Sequence, residues 1–250
     1  MSRPLGFLGQ MIWILILTVL TQIGGVAWIF SFFFRRRWLG FLALYTAMSI
    51  AAIWVAPLLG RVPLPCIGEP MRMQSLTFCA LNRHYVVPEL AEVLSDTAHR
   101  SAERHPGTVT LVLDANFPFI DGYPLLPHLS HDDGRKADIA FHYADSNGLY
   151  LPGETRSPIG YFAFEQGPTD CPERILSLRW NLGWLQPYLR SLPPDVSRMQ
   201  TAIALLNGDR RVGKIFLEPH LVRSWQVGTP KVRFQGCRAA RHDDHIHVQL

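Results

Sequence analysis

Two long uncharged runs at the amino-terminal end constrain the fold more than any other feature of the chain. No charge occurs in the 31 residues from Pro4 to Phe34, nor in the 23 from Trp38 to Gly60. About 20 apolar residues suffice to cross the hydrocarbon core of a bilayer, so each run is long enough for one helix. Gln10, Thr18, Gln22 and the pair Gly24-Gly25 interrupt the first run. They are tolerable within a span, and the extra length permits tilt or an interfacial end. Only Arg35, Arg36 and Arg37 separate the runs. Residues 1–60 therefore predict a two-helix transmembrane hairpin. Arginines in a short loop stay on the cytoplasmic side, so everything beyond residue 60 is expected outside an inner, cytoplasmic membrane, in the periplasm or at the cell exterior. A cleaved signal peptide fits the first run less well, because the run is too long and lacks a clear order of charge, short core and small residues.

The charge distribution excludes a nucleic-acid partner. The formal net charge is +4, from 24 basic and 20 acidic residues. Arg3, Arg35, Arg36 and Arg37 carry all of that excess, and residues 61–250 balance 20 basic against 20 acidic groups. A neutral domain has no electrostatic footprint for DNA or RNA. With 48% hydrophobic residues the chain is not disordered either. The four cysteines, Cys66, Cys79, Cys171 and Cys237, all lie beyond the uncharged runs. An even number in an exported domain predicts two disulfides with three possible pairings; we favour the sequence neighbours, Cys66 with Cys79 and Cys171 with Cys237. No CxxC spacing supports cysteine-based zinc or redox chemistry.

Residues 61–84, with Pro63, Pro65 and Pro70, look like a linker leading into the domain. From Pro88 to His105, Leu90, Leu94 and Ala98 recur every four residues, which predicts a helix opened by proline. Residues 108–115 and 137–143 alternate as strands do, and on the second Asp138, Ala140 and His142 share one face. Residues 159–166 suggest a strand or hairpin arm, 175–192 a helix, and 219–227 a short helix. The runs 201–207 and 214–219 are apolar and of uncertain type. The terminal HIHVQL alternates as a strand. Helices and strands mix without a βαβ rhythm, so the expected class is α+β.

Ten histidines occur, all beyond residue 60, and two clusters stand out. In RHDDHIHV, His245 and His247 are two apart, so on a strand both imidazoles aim the same way. In LSHDDGRKAD, a turn through Asp133-Gly134 can fold His131 back over the strand face that carries Asp138. Two histidines and a carboxylate supply three zinc ligands and leave a fourth position for water, the pattern of a catalytic rather than a structural site. The bland alternatives are a surface strand with alternating histidines and a hydrogen-bonded loop-to-strand pair.

The order H-x6-D followed by HxH near the end of the chain resembles the zinc metallopeptidases related to lysostaphin, D-alanyl-D-alanine carboxypeptidase and the Hedgehog signalling domain. It most resembles penicillin-insensitive murein endopeptidase, whose motif ends H-x2-H-x-H; here that is His242, His245 and His247. The likeness covers roughly residues 105–250 and not the uncharged runs. It implies a zinc peptidase-like domain over 85–250, α+β with a central, mainly antiparallel sheet. It further implies zinc on His131, Asp138 and His247. His245 would serve as general base or stabilise the tetrahedral intermediate, and His242 would be a further active-site histidine. The implied activity is hydrolysis of amide bonds in peptidoglycan cross-links, with peptidoglycan peptides as partners. The alternatives are a non-catalytic zinc-containing binding module of the envelope and a D,D-carboxypeptidase. The carboxypeptidase branch carries a glutamate where Asp244 stands, and its carboxylate-anchoring arginine and serine are not evident before His131, which favours the endopeptidase.

Other residues have plainer expectations. His128, in the loop before the motif, either supports a metal ligand from behind or is solvated; His142 is a partly buried core histidine, and His84, His99 and His105 are surface positions. Trp180, Trp184 and Trp225 suit a packed core better than a glycan platform.

Overall fold

The computed structural model describes residues 6–169, 171–172 and 177–250. The first uncharged run does not form one span. It divides into α1 (Phe7–Thr21) and α2 (Gly24–Phe30), with a 3-10 turn at Ser31–Phe33. The break is built from the polar residues that interrupt the run. Gln22 takes φ 66, the Thr21 hydroxyl accepts from Gly24 N–H at 2.8 Å, and α2 folds back along α1. At Gly25 a Cβ would stand 1.9 Å from Thr18 Oγ1 and 2.8 Å from the Ile14 carbonyl, so only glycine permits this approach. Trp28 Nε1 donates to Gln10 Oε1 at 2.9 Å and fixes the other end of the pair.

The second run forms α3 (Arg37–Val55), continued by a 3-10 turn over Ala56–Leu59. Arg37–Leu59 is the one helical stretch among the described residues that is long and apolar enough to cross a membrane. The expected two-helix hairpin is thus replaced by a short helical pair and one long helix. Both α1 and α3 point toward the rest of the protein. Gln22 Oε1, at the end of α1, accepts from Phe119 N–H at 2.9 Å, and Tyr45 in α3 donates to the Ala80 carbonyl at 2.6 Å.

The remainder is α+β. Its strands are β1 (Val62–Pro63), β2 (Met71–Met73), β3 (Tyr85–Val86), β4 (Thr110–Val112), β5 (Lys136–Ala140), β6 (Lys214–Phe216), β7 (Val232–Arg233) and β8 (His245–Gln249). β1 and β3 form a small ribbon; the other six form one sheet in the order β2-β4-β5-β8-β6-β7. The three inner pairings are antiparallel, and the outer pairs β2–β4 and β6–β7 are parallel. Residues 61–84 pack into the domain as they enter it: they supply the edge strand β2, the ribbon strand β1 and α4 (Leu76–Ala80). Both disulfides pair sequence neighbours, Cys66–Cys79 and Cys171–Cys237.

The helix α5 (Pro88–Arg104) forms as its spacing predicts and buries Leu90, Leu94 and Ala98 against the sheet. The run 201–207 lies in α6 (Val196–Gly208), capped by the Asp195 side chain, and α7 (Pro219–Ser224) is the short helix expected there. Ile139, Ile246, Val248 and Ile215 join these helices in one core, which leaves the opposite sheet face for polar side chains.

Two expectations fail. Residues 159–166 form no strand; they run as an irregular segment. The predicted helix over 175–192 is absent from its described part, which holds only a 3-10 turn at Gln186–Tyr188. Leu182 at φ 42 and Pro187 break the period, and Gln186 instead ties the segment down by donating to the Phe162 carbonyl and accepting from Phe164 N–H. Without an inward helix face, Trp180 and Trp184 are 47% and 72% exposed, while Trp225 packs as expected. His99 is exposed, but His84 is buried rather than on the surface. Ile175 and Leu176 lie outside the described residues.

His142 is a buried core histidine whose pKa burial lowers to about 4, and burial lowers His84 to about 4 as well. Both carry protons in the unfolded chain below about pH 6.5 and resist them when folded. Their contribution is complete above that pH and is lost as pH falls toward 4, each by up to about 3 kcal/mol. His142→Phe is predicted to flatten the acid-side fall in urea-unfolding stability by about one proton relative to the wild type. An unchanged slope would place His142 in contact with water.

Candidate metal centre

Strand register builds the centre. β5 and β8 pair antiparallel with Asp138 opposite His247 and Ala140 opposite His245. The two-residue alternation then puts Asp138, His245 and His247 on one face of neighbouring strands. His131 arrives from the preceding loop, which Gly134 turns at φ 76. The Gly134 N–H donates to Asn116 Oδ1, which holds the turn against the sheet. His131 bonds through Nδ1 to the Ala115 carbonyl at 2.8 Å, which leaves Nε2 free to face the strands.

Three atoms converge. His131 Nε2 stands 3.1 Å from His247 Nδ1 and 3.3 Å from Asp138 Oδ1, and His247 Nδ1 stands 2.9 Å from Asp138 Oδ1. Ligand atoms of a tetrahedral zinc at about 2 Å lie roughly 3.3 Å apart, so this triangle has the size of one face of such a shell. His128, His131 and Asp138 also form a group that could hold a metal ion. His128 Nδ1 is buried 3.1 Å from Asp138 Oδ2 and 3.3 Å from Asp114 Oδ2, without the alignment of a hydrogen bond. Two carboxylates beside one imidazole give this spot the negative charge that a cation would balance.

His245 occupies a different position. Asp244 Oδ1 holds its Nδ1 at 2.5 Å, and its Nε2 lies 3.6 Å from Asp138 Oδ2, too far for a direct bond and about right for the neighbour of a bound water. The His242 ring packs 4.9 Å from that of His245 and 5.6 Å from that of His247. Tyr161 donates to Asp138 Oδ2 at 2.7 Å, which leaves Oδ1 to His131 and His247.

Charge is arranged around Asp138. Burial opposes its ionisation, but His131, His245 and His128 outweigh burial and hold the carboxyl well below the usual range. Burial likewise works against charge on His128, yet Asp138 and Asp114 push it up to about 10. His245 is also raised, because Asp138 and Asp244 overcome burial. His247 is lowered to about 4, mainly by burial, and His242 falls well below the ordinary value through burial and its two histidine neighbours. A neutral imidazole is the form that binds metal. The centre opens into a cleft of about 220 Å³, whose other wall includes Leu129, Leu178, Gln235 and Ala240. Trp180, Tyr161 and Arg241 line a smaller adjoining recess.

His131, Asp138, His242, His245 and His247 are thus brought together. His128 is half-buried with its Nδ1 against Asp138, a larger part than its loop position suggests. Its spacing from His131, H-x2-H, was a visible signal. Asp244 as the partner of His245 and Tyr161 as the partner of Asp138 were missed; the irregular segment that carries Tyr161 offers no periodicity to read. His142 leaves the strand face, because β5 ends at Ala140.

Comparison with known protein families finds no matching family model, and comparison with curated proteins finds no match.

Behind the centre, Arg83 donates to both oxygens of Asp114 at 2.6 and 2.7 Å, and both side chains are buried. Removing one partner of such a pair leaves a buried charge, at about 3 to 5 kcal/mol. Arg83→Met is predicted to lower the unfolding free energy by that order in denaturant titration. A loss below about 1 kcal/mol would mean that His128 alone suffices to balance Asp114.

Proposed function

We propose that this chain is a membrane-anchored, zinc-dependent peptidase of the cell envelope that hydrolyses amide bonds in peptidoglycan cross-links. The observation that carries the reading is the triangle of His131 Nε2, Asp138 Oδ1 and His247 Nδ1, with sides of 2.9 to 3.3 Å, and His245 Nε2 standing just beyond it. His131, Asp138 and His247 would hold the ion; when bound, zinc acidifies a water and polarises a carbonyl.

The chain's own residues do the rest. Asp244 fixes the ring of His245 so that Nε2 faces the cleft. There it accepts the proton of the attacking water and returns it to the leaving amine as the C–N bond breaks. Tyr161 keeps one Asp138 oxygen occupied, so that a single oxygen is offered to the ion. Arg241, which lines the adjoining recess, is committed to Asp243 and so is a poor anchor for a terminal carboxylate, which supports an endopeptidase over a carboxypeptidase. The hydrogen-bonded pair Asp244–His245 favours an enzyme over a pure binding module, which has no need of an oriented base.

Two experiments test this reading. His247→Ala is predicted to lose the metal, measured as zinc per chain after dialysis. His245→Ala is predicted to keep it and release cross-linked peptides from purified sacculi about 10²- to 10⁴-fold more slowly. Sacculi that bind the wild type and remain uncleaved would favour the non-catalytic module.

In this reading the domain remains outside the membrane, and the course of α1 and α2 bears only on the side of the amino-terminal end. α2 runs back along α1, so the start of α1 lies at the same end as Arg35–Arg37, away from the domain. The basic turn then places both on the cytoplasmic side, with α3 crossing and the domain outside. Cysteines introduced at Gly6 and at Arg36 are predicted to be shielded together from an impermeant thiol reagent in intact cells. Labelling of only one of them would contradict this topology.

A further inference from the structure

A second cleft, which shares no lining residue with the cleft of the metal centre, lies between α3 and the domain. It holds about 400 Å³ and is walled by Ile50 and Ile53 of α3 and by the Cys66–Cys79 disulfide. His84 and Tyr85 also line it. Both are buried, and neither His84 Nδ1 nor the Tyr85 hydroxyl has a hydrogen-bond partner. The other polar groups there are satisfied: Asn82 Nδ2 donates to the Tyr45 hydroxyl and to Ser49 Oγ, and Tyr45 donates to the Ala80 carbonyl. Unmade hydrogen bonds at buried polar atoms cost roughly 1 to 3 kcal/mol each. A pair of them in one cleft points to an occupant that would complete them.

The position along α3 identifies the kind of occupant. Tyr45 and Ile53 follow Arg37 by eight and sixteen residues. At 1.5 Å per residue they lie about 12 to 24 Å along the helix. If Arg37 marks the cytoplasmic boundary, that interval falls within the roughly 30 Å hydrocarbon layer. The contact of Gln22 with Phe119 brings the domain to comparable depth, since α1 is 15 residues long. Beside the cleft's disulfide, Ile67 and Leu76 of the domain are 75% and 64% exposed, as befits a surface that meets lipid rather than water. No charged side chain lines the cleft among the described residues, so a phosphate would find no counter-charge.

We propose that the cleft is a lateral lipid site, which takes one hydrocarbon chain of an outer-leaflet lipid and hydrogen-bonds its neutral hydroxyl or ester oxygen through His84 Nδ1 and the Tyr85 hydroxyl. The site rests on the membrane reading of the amino-terminal helices and is independent of the peptidase chemistry. The domain then sits partly sunk in the membrane, with a lipid wedged at its joint with α3.

The full chain, reconstituted in phosphatidylcholine vesicles containing a diazirine-bearing diacylglycerol, tests this. Photolabel is expected in peptides covering 45–56 and 79–86. Ser49→Trp, and separately Ile53→Trp, should fill the cleft and remove label from 79–86 while label on α1 persists. Far-ultraviolet circular dichroism serves as the check that each variant is folded. His84→Phe should abolish any preference for the diacylglycerol over a plain diazirine alkane. Label confined to α1, α2 and the outward side of α3, or label on 79–86 that survives both tryptophans, overturns the lipid site and leaves the membrane reading intact. A chain that does not associate with the vesicles overturns both.

Discussion

The pairing of β5 with β8 is the constraint on which the rest depends. It sets Asp138 directly across from His247 and turns His245 to the same side. A slip of β8 by one residue would send His245 and His247 into the hydrophobic core, away from Asp138, and bring Ile246 and Val248 out to the cleft. Burial of those aliphatic side chains against α5 and α6 therefore does more than stabilise the domain. It fixes the register, and the register assembles the imidazoles around one carboxylate. His131 is the only member of the triangle that comes from a loop. That loop is pinned at both levels, backbone and ring, by Asn116 and Ala115 at the end of the neighbouring strand.

Such a concentration of buried polar groups is tolerable only because charge is balanced locally. Asp138 is surrounded by His128, His131, His245 and His247, and Asp114 is clamped by Arg83. The result is a division of labour. Histidines nearest two carboxylates, His128 and His245, are raised, whereas His242 and His247, with more apolar burial, are held neutral. Groups with opposite shifts side by side are what hydrolytic chemistry requires: neutral nitrogens to bind an ion and a basic one to move a proton.

What the sequence revealed follows the physics of periodicity. His245 and His247 were legible because a strand repeats every two residues, and α5 because Leu90, Leu94 and Ala98 repeat every four. His131 and Asp138 were legible as a loop-to-strand pair. Tyr161 was not, because it reaches the centre on an irregular segment held by Ser157 and Gln186 rather than by a repeat. Hydropathy counts apolar residues and does not register a change of direction, so the first uncharged run looked like a span. Gln22, Thr21 and Gly24-Gly25 were in plain view, but their joint effect, a capped reversal with close helix contact, appears only in three dimensions. Trp180 and Trp184 were placed in the core on the strength of a helix that Pro187 does not allow.

The central claim is that two imidazoles and one carboxylate gather a single ion with a corner left to solvent. X-ray absorption at the zinc edge of the metal-loaded protein measures that shell directly. The account predicts four nitrogen or oxygen neighbours at about 2.0 Å, with the outer-shell scattering of two imidazoles. Sulfur at about 2.3 Å, which would place the ion on cysteines, or a shell without imidazole would contradict it.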